Sequence, residues 1–351
     1  AEIEGVDLIL GNQDKLGVLE HIGDREKQER PVIVREKIDK RDFTMSFAGE
    51  RPFNQRANLK VQDGCDFLCS FCIIPFARGR ARSRDFDDLM REVESQVSRG
   101  VRELVLTGVN IGTFRAACRG GEMDIVGLVD ALDAVSGLDR IRISSIEPTT
   151  VPWELFARMA DASHALLPFL HLPLQSGSER ILREMRRRHT AAEWAKFIGQ
   201  AVEAVPGLYV GTDVMVGFPG ESEEDFEATC NMLTDNPVAW AHVFTYSERE
   251  GTLAARRDDH LPMEVRHRRS AKLRALAERL RYRWHERHLG QEVRVLFEDP
   301  REGIAPALTD NYVRVVVPME NPVQVRNQLA RVRLQTISAD FVEGELIEVL
   351  G

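Results

Sequence analysis

The chain has 351 residues, of which 43% are hydrophobic and 29% charged, and its formal net charge is -9. This length allows two or three domains, and no apolar run approaches the ~20 residues that a membrane helix needs. The composition is that of an ordinary globular protein, so we expect no membrane partner. An acidic net charge argues by itself against a nucleic-acid binder, and we expect no DNA partner.

The first 50 residues hold little regular structure. One strand-like run covers residues 6–10, and a short helix is expected near residues 14–22, before a charged stretch. A segment of this kind is too short to bury a core of its own. We therefore interpret residues 1–50 as the remnant of a larger N-terminal domain.

From residue 59 onward, strands and helices alternate over about 190 residues, which predicts a parallel sheet with right-handed crossovers. The expected strands cover residues 59–62, 103–107, 140–144, 169–172, 209–216 and 241–244. Thr190 and Glu193 form a capping box at the start of one helix, and Ser222 begins another. Six such units predict an α/β fold, an open six-stranded (β/α)6 partial TIM barrel over residues 51–288. In such barrels the chemistry lies at the carboxyl ends of the strands.

The residue pattern of the C-terminal part differs from that of the preceding segment. Residues 263–288 predict one helix with an apolar stripe and many arginines. Beyond it, short β-like runs at 293–297, 312–317, 330–336 and 346–350 are separated by Pro, Gly, Asn and Asp. This pattern predicts a small all-β barrel over residues 289–351.

Three of the five cysteines, Cys65, Cys69 and Cys72, fall within eight residues, with Phe71 just before the last. The C-x3-C-x2-C spacing lets one loop place three thiolates around one metal centre. Three protein ligands leave one coordination position open for another molecule. The alternative is a zinc knuckle or a pair of redox thiols. Cysteines spaced in this way suit a reducing cytosol, so we expect a cytoplasmic protein.

Glycine and polar residues follow the predicted strands, at the edge where chemistry is expected. We predict that a cofactor binds at Gly108, Asn110, Ser144, Glu147, Gln175 and Gly217, together with Phe71. Glycine lets backbone approach a ligand closely, and the Asn110 amide offers both a donor and an acceptor. Glu147 has a plainer alternative as a surface carboxylate. The turn at Gly217 would form a flat wall against which an adenine ring can lie.

Three basic clusters stand out on this acidic chain. One directly follows the cysteine loop and contains Arg78, Arg80, Arg82 and Arg84. A second comprises Arg183 and residues 186–188, and the third is the segment 264–288, with nine Lys or Arg against three Glu. Clusters of this kind favour a phosphate-bearing partner. We predict that Arg78, Arg82 and Arg84 contact RNA.

The cysteine loop and several longer motifs resemble those of radical S-adenosylmethionine (SAM) methylthiotransferases. The motifs cover residues 60–84, 145–148, 171–178, 216–221 and 242–247. The resemblance implies that Cys65, Cys69 and Cys72 hold a 4Fe-4S cluster whose fourth iron chelates SAM. An electron from the cluster would then cleave SAM to a 5'-deoxyadenosyl radical that abstracts hydrogen. The strand end at Asn110 would contact the SAM amino group.

Within this family, residues 73–79 and 144–148 are most similar to the branch that methylthiolates threonylcarbamoyl-adenosine beside the tRNA anticodon. The resemblance implies conversion of adenine C2–H to C2–SCH3. One SAM would supply a methyl group to a sulfur on a second, auxiliary cluster, and another SAM would supply the radical. The expected partners are the tRNA anticodon stem-loop and a reductant such as flavodoxin or ferredoxin. The β-rich C-terminal segment resembles the TRAM domain, an RNA-binding barrel.

One departure from the family concerns the auxiliary cluster. In the family, three cysteines of an N-terminal domain hold it, and residues 1–64 of this chain contain none. We expect either that the sequence lacks its N-terminal part, which we favour, or that the sulfur-donating half was lost. As it stands, the chain should bind one cluster and cleave SAM. Three alternatives stay open: isopentenyl-adenosine as substrate, an aspartate of a ribosomal protein as substrate, or a non-catalytic RNA-binding module with a structural metal.

Overall fold

The structure is a computed structural model that describes residues 4–22, 30–36, 38, 42–45, 55–118 and 121–350. Part of the predicted N-terminal remnant therefore lies outside the described residues.

In the described ranges the strands are, in chain order, β1 (Leu8–Leu10), β2 (Val32–Val34), β3 (Arg56–Lys60), β4 (Gln62–Asp63), β5 (Arg82–Ser83), β6 (Glu103–Thr107), β7 (Arg115–Cys118), β8 (Gly121–Asp124), β9 (Arg140–Ile143), β10 (Phe169–His171), β11 (Tyr209–Val216), β12 (Trp240–Thr245), β13 (Glu292–Phe297), β14 (Ile304–Thr309), β15 (Arg314–Pro318), β16 (Leu329–Ser338) and β17 (Phe341–Leu350). The α-helices of the same ranges are α1 (Val18–His21), α2 (Ile74–Arg78), α3 (Phe86–Ser98), α4 (Ile125–Asp133), α5 (Glu154–Ala160), α6 (Glu179–Glu184), α7 (Ala191–Ala204), α8 (Glu223–Asp235) and α9 (Met263–Glu286).

Six parallel strands form an open half-barrel. Strands β3, β6 and β9 pair in parallel, and so do β10, β11 and β12. Two parallel bridges, Ile141 with Leu166 and Ser145 with His171, join the two halves between β9 and β10. This arrangement confirms the predicted partial barrel.

The half-barrel is held by apolar side chains on the outer faces of its strands. Alternation along β6 and β9 points Leu104, Leu106, Ile141 and Ile143 away from the barrel interior, and all four are fully buried with the surrounding helices. Each such side chain contributes roughly 1.5–3 kcal/mol through burial. The predicted capping box is present at Thr190, where α7 begins. Burial therefore fixes the outside of the half-barrel and leaves its concave side for polar groups.

The bounds of the first predicted strand change for a local reason. The first strand of the sheet is Arg56–Lys60 rather than 59–62, because the chain turns after Lys60 and β4 pairs antiparallel with β5. Helix α3 begins at Phe86, one residue after the side-chain cap supplied by Asp85. Among the described helices, none is long and apolar enough to cross a bilayer.

The C-terminal strands close into a barrel in the order β13-β14-β15-β17-β16. All neighbours pair antiparallel except β15 and β17, which run parallel. The prediction missed β14, because Pro306 at its centre argues against a strand. Pro306 pairs with Val316 on β15. The prediction of a small all-β barrel is confirmed in outline.

This C-terminal barrel covers the amino-terminal end of the half-barrel. Arg140 donates hydrogen bonds to the Leu308 and Thr309 carbonyls, each at 2.9 Å, and Arg142 donates to the Asp310 carbonyl at 3.0 Å. Both arginines also pair with the buried Glu103 at 2.9 Å. The floor of the half-barrel is therefore closed, and its open mouth lies at the carboxyl ends of the strands.

The charge of Glu103 is sustained by these two arginines. Burial alone would raise the pKa of Glu103, but the facing guanidinium groups of Arg140 and Arg142 lower the pKa to about 2. Glu103 is fully buried in the floor. A buried charge of this kind is tolerated only when it is paired and hydrogen-bonded.

Candidate active site

The cysteine loop leaves the mouth of the half-barrel between β4 and β5. Because β4 and β5 pair antiparallel, they bring the two ends of the loop together. At Gly64 the backbone has φ = 71°, and an added Cβ would lie 2.0 Å from the Arg80 carbonyl oxygen. The Cys65 N–H donates to the Gly79 carbonyl at 3.1 Å. The base of the loop is thus closed so tightly that only glycine fits at residue 64.

The middle of the loop is anchored on the opposite wall. The Ser70 N–H donates to the Met185 carbonyl at 3.0 Å, and the Ser70 hydroxyl donates to the Glu184 carbonyl at 2.8 Å. The N–H of Ala254 in turn donates to the Ser70 carbonyl at 2.8 Å. Phe71 packs against a buried apolar cluster that includes Phe218. These contacts fix the three cysteines between two sides of the barrel mouth.

The three thiols lie in one partly buried environment. Burial raises the pKa of all three, that of Cys65 to about 11, and the neighbouring thiols raise the pKa values of Cys65 and Cys72 further. The Phe67 N–H donates to Cys65 Sγ at 3.3 Å. Protein groups alone therefore keep these thiols protonated, and a bound metal centre is what turns such cysteines into thiolates.

The donor set suits an iron–sulfur cluster, since such clusters are bound by cysteine thiolates. Over the described ranges, no three Cys, His, Asp or Glu side chains converge on a single metal ion. The fit rests on the three adjacent thiols of one anchored loop and on the hydrogen bonds that reach Cys65 and Cys69.

Arg187 connects the cysteine loop to the neighbouring strand ends. Its Nη1 donates to Cys69 Sγ at 3.5 Å, and its Nη2 donates to a Glu147 carboxylate oxygen and to the Pro173 carbonyl. The side chain of Arg187 is 3% exposed. Burial raises the pKa of Glu147, and the Arg187 guanidinium opposes that rise. The sequence showed Arg187 only as part of a charge run, so its position beside a cysteine could not be predicted.

Asn110 is buried at the end of β6, next to this ion pair. Its Oδ1 accepts hydrogen bonds from the Glu147 N–H at 3.2 Å and from the Thr150 hydroxyl at 2.9 Å. Its Nδ2 has no hydrogen-bond partner among the described residues. Because buried donors are normally paired, this amide is available to a ligand. The predicted residues Asn110 and Glu147 are therefore brought together beside Cys69.

Gln62 joins the turn after β6 to the base of the cysteine loop. Its Oε1 accepts the N–H groups of Val109 at 2.8 Å and Asn110 at 3.0 Å, and its Nε2 donates to the Gly64 carbonyl at 2.8 Å. A Cβ added at Gly108 would lie 2.9 Å from Gln62 Oε1. Glycine at residue 108 thus accommodates Gln62, whereas the prediction assigned it to a cofactor. Gln62 lies within the motif of residues 60–84, and nothing local in that motif indicates this structural role.

Gln175 and Gly217 occupy unusual backbone positions near the mouth. Gln175 has φ = 71°, a left-handed conformation that costs a non-glycine residue on the order of 1–3 kcal/mol. Two backbone hydrogen bonds to β11 hold it there, from its N–H to the Asp213 carbonyl and from the Met215 N–H to its own carbonyl. At Gly217 an added Cβ would lie 2.5 Å from Arg266 Cγ. Arg266 therefore covers one side of this turn.

The basic cluster after the cysteine loop separates into exposed and buried members. Arg78 is partly exposed and pairs with Asp63 at 3.2 Å, and Arg80 is exposed. Arg82 is buried, with Nη2 3.5 Å from the same Asp63 carboxylate. Arg84 is fully buried.

The burial of Arg84 corrects the prediction that this residue contacts RNA. Its guanidinium pairs with Asp88 at 2.7 Å and Glu92 at 2.5 Å, both on helix α3. A phosphate cannot reach a side chain that is enclosed in this way. Its role in the structure is to hold α3 against the strand β5.

A cavity of about 450 Å³ lies inside the half-barrel, above the floor. Ser144 and Ser145 line it beside the cofactor region, and Tyr312 of the C-terminal barrel lines its lower side. His171 and Asp213 form a pair across β10 and β11, with Nε2 3.0 Å from Oδ1. The strand alternation could have indicated these inward-facing residues, but not which of them share a cavity.

Several known proteins are similar to this chain. Residues 59–233 match the model of the Radical SAM superfamily. The chain is 33% identical over 363 residues to the threonylcarbamoyladenosine tRNA methylthiotransferase MtaB of Bacillus subtilis, covering 99% of this chain and 78% of that protein. It is 36% identical over 291 residues to the tRNA-2-methylthio-N(6)-dimethylallyladenosine synthase of a Jannaschia species, covering 83% of this chain and 63% of that protein. Among solved structures, coproporphyrinogen III oxidase HemN of Escherichia coli matches 66% of this chain and 54% of its own, with 15% identity and a TM-score of 0.48.

Proposed function

Because this chain belongs to the radical SAM methylthiotransferases and is similar to MtaB, we propose that it acts in tRNA methylthiolation. The reaction would replace the C2 hydrogen of an adenine by a methylthio group. The proposed substrate is threonylcarbamoyl-adenosine next to the anticodon. The observation that carries the proposal is the anchored loop of Cys65, Cys69 and Cys72 beside Arg187 and Glu147.

The three cysteines would hold a 4Fe-4S cluster and leave one iron for SAM. When bound, the cluster and SAM supply a 5'-deoxyadenosyl radical that abstracts a hydrogen atom. The residues of the chain position these groups. Glu147 offers a carboxylate to the SAM amino group, and the unpaired Nδ2 of Asn110 offers a hydrogen-bond donor to a neighbouring acceptor atom of SAM. Arg187 holds the Glu147 carboxylate and reaches Cys69 at the same time.

The other predicted cofactor residues would mainly shape the site rather than bind the cofactor through polar side chains. Phe71 fixes the loop against the wall, and Gly108 lets Gln62 close beneath Asn110. Ser144, Gln175 and Gly217 lie at strand ends around the same mouth. We retain them as cofactor-site residues because the carboxyl ends of barrel strands are where such sites are built.

For tRNA binding we propose two surfaces. Arg78 and Arg80 flank the cysteine loop and are exposed enough to meet phosphates. The C-terminal barrel over residues 289–351 would act as a TRAM-like module, since small five-stranded barrels commonly bind oligonucleotides. Residues 51–288 would form the radical SAM domain. A reductant such as flavodoxin or ferredoxin would deliver the electron.

The source of sulfur is a separate question for this chain. Residues 1–64 contain no cysteine, so an auxiliary cluster would need ligands other than those of this segment. We propose that the chain carries out SAM cleavage and hydrogen abstraction at C2, and that sulfur insertion depends on those further ligands.

A second candidate substrate is dimethylallyl-adenosine in tRNA. The observation that favours it is the 36% identity to the synthase named for that nucleoside. Against it, the relative named for threonylcarbamoyladenosine matches 99% of the chain rather than 83%. The two substrates share the reacting C2 position and differ only in the substituent on N6.

The test uses an anticodon stem-loop RNA that carries threonylcarbamoyl-adenosine with deuterium at C2. The reconstituted chain, SAM and a reductant should release 5'-deoxyadenosine that contains deuterium. The control RNA carries deuterium at C8, and its label should stay in the RNA. Transfer from C8, or deoxyadenosine without label from the C2 substrate, would contradict the proposed reaction.

A further inference from the structure

Several polar side chains that line the interior cavity make no hydrogen bond with other described residues. The Asn58 side chain and the Ser144 and Ser145 hydroxyls line it, and none of them makes a side-chain hydrogen bond with another described residue. The His242 ring also lines the cavity and packs against the rings of His171, Trp240 and Phe244, and it makes no hydrogen bond with another described residue. A cavity with several free and converging polar groups is built to receive a polar ligand.

The other polar groups of the cavity are already engaged. His171 pairs with Asp213 at 3.0 Å, and Arg142 is committed to Glu103 and to carbonyls of the floor. The free groups therefore lie on the walls, on β3, β12 and the segment after β9. They do not belong to the structural network beneath them. This separation indicates that they face a ligand rather than support the fold.

The electrostatic surroundings suit a ligand with both polar and acidic parts. Arg56 lines the same cavity and pairs with Glu298, and its side chain remains 31% exposed. Burial lowers the pKa of His242, and the nearby His171 lowers it further, against the effect of Asp213. His242 is therefore neutral near pH 7 and can both donate and accept a hydrogen bond.

We infer that this cavity receives the N6 substituent of the substrate adenosine, and that Asn58 and His242 select a threonylcarbamoyl group over a dimethylallyl group. The inference rests on the proposed function. A threonylcarbamoyl group carries a urea, a hydroxyl and a carboxylate, which can satisfy the free amide and imidazole. Arg56 supplies the opposite charge for the carboxylate.

A dimethylallyl group has no polar atom with which to satisfy these groups. If it filled the cavity, Asn58 and His242 would lose water without gaining a partner. Sites built to hydrogen-bond a ligand reject an analogue that lacks the matching group much more strongly than apolar pockets distinguish two apolar ligands. The predicted discrimination therefore comes from unsatisfied polar groups and not from the size of the cavity.

The test compares three anticodon stem-loops of one sequence, which carry threonylcarbamoyl-adenosine, dimethylallyl-adenosine or unmodified adenosine. Affinities for the full chain are measured by fluorescence anisotropy, and SAM cleavage is measured on the same preparation. We expect the threonylcarbamoyl RNA to bind about tenfold more tightly than the dimethylallyl RNA. In His242→Phe the ratio should fall to about threefold or less, while the affinity for unmodified RNA stays the same.

His267→Phe serves as the matched control, since His267 is exposed on α9 and lines no part of the cavity. If His242→Phe lowers the melting temperature strongly, Asn58→Ala provides the second variant, with the same expected loss of discrimination. Binding of both modified RNAs within about twofold by the wild type, or an unchanged ratio in both variants, would overturn the inference. If the wild type does not cleave SAM, the proposed function is contradicted. The binding ratios test the inference independently of that result.

Discussion

Arg187 lies between the Cys69 thiol and the Glu147 carboxylate, with its Nη1 3.5 Å from Cys69 Sγ and its Nη2 hydrogen-bonded to Glu147. One buried cation therefore links the loop that would hold the cluster to the strand end that would bind SAM. A change at Arg187 should therefore alter SAM binding through Glu147, in a way that a change at an ordinary surface arginine does not.

The first prediction concerns Arg187→Met. Without the cation, Glu147 has no partner for its charge and is expected to take up a proton, because burial already raises its pKa. A protonated Glu147 would bind the SAM amino group poorly. We expect the dissociation constant for SAM to rise about tenfold, with near-normal iron content.

Arg183→Met is the control for this prediction, because Arg183 is exposed in the same basic cluster. SAM affinity is measured by calorimetry on reconstituted protein. If Arg187→Met binds SAM as tightly as the wild type, Arg187 does not act through Glu147.

The second prediction concerns Gln62. Gln62→Leu removes the acceptor for two N–H groups and leaves the buried one of Asn110 and the partly buried one of Val109 without that partner. We expect the free energy of unfolding to fall by about 2 kcal/mol or more, measured by urea denaturation. Gln335→Leu, which removes an exposed hydrogen bond to Glu345, should change it by less than about 0.5 kcal/mol. A similar loss in the free energy of unfolding for the two variants would contradict the assigned role of Gln62.

The third prediction concerns acid stability. The pKa of Glu103 is about 2 in the folded chain, below its value of 4.5 in the unfolded chain. A depressed pKa contributes stability that is present above pH 4.5 and is lost as the pH falls toward 2. Glu103→Gln should therefore flatten the decline of stability across this window.

At pH 7 the same variant should be less stable by roughly 3–5 kcal/mol, because Arg140 and Arg142 lose their shared carboxylate. Glu122→Gln, at an exposed position, should match the wild type at every pH. A Glu103→Gln chain with wild-type acid sensitivity would refute the assignment.

The fourth prediction separates the arginines of the cluster after the cysteine loop. Arg78→Ala combined with Arg80→Ala should weaken tRNA binding and reduce the salt slope by about 2, because two phosphate contacts are lost. Arg84→Ala should instead lower the melting temperature, because it removes the buried guanidinium that pairs with Asp88 and Glu92. An unchanged salt slope in the double variant would place the RNA elsewhere.

The sequence predicted the structure best in strands whose side chains alternate regularly between the two faces of the sheet. The bounds of β6 and β11 were predicted as observed, because their outward-facing positions are apolar apart from the buried Thr212 of β11. The capping box at Thr190 was predicted from four residues, since the capping interactions are local. The cysteine loop was predicted from spacing alone.

The missed features depend on contacts between distant residues. Arg84 was assigned to the surface because a charge run does not reveal that Asp88 and Glu92 of the next helix enclose it. Gln62 and Arg187 act through partners 40 or more residues away, which no local pattern indicates. The cavity beside His242 combines residues from both halves of the barrel and from Tyr312. Such groupings become visible only when the strands are placed side by side.

The central claim is that Cys65, Cys69 and Cys72 hold a cluster that cleaves SAM. The most direct measurement is iron and sulfide per chain after anaerobic reconstitution, together with 5'-deoxyadenosine formed from SAM and reductant. We predict about four irons per chain, as one cubane cluster requires, with deoxyadenosine formed. Cys69→Ala should abolish the product, and Cys230→Ala, at a cysteine outside the loop, should leave it unchanged. Zinc in place of iron, or full SAM cleavage by Cys69→Ala, would contradict the account.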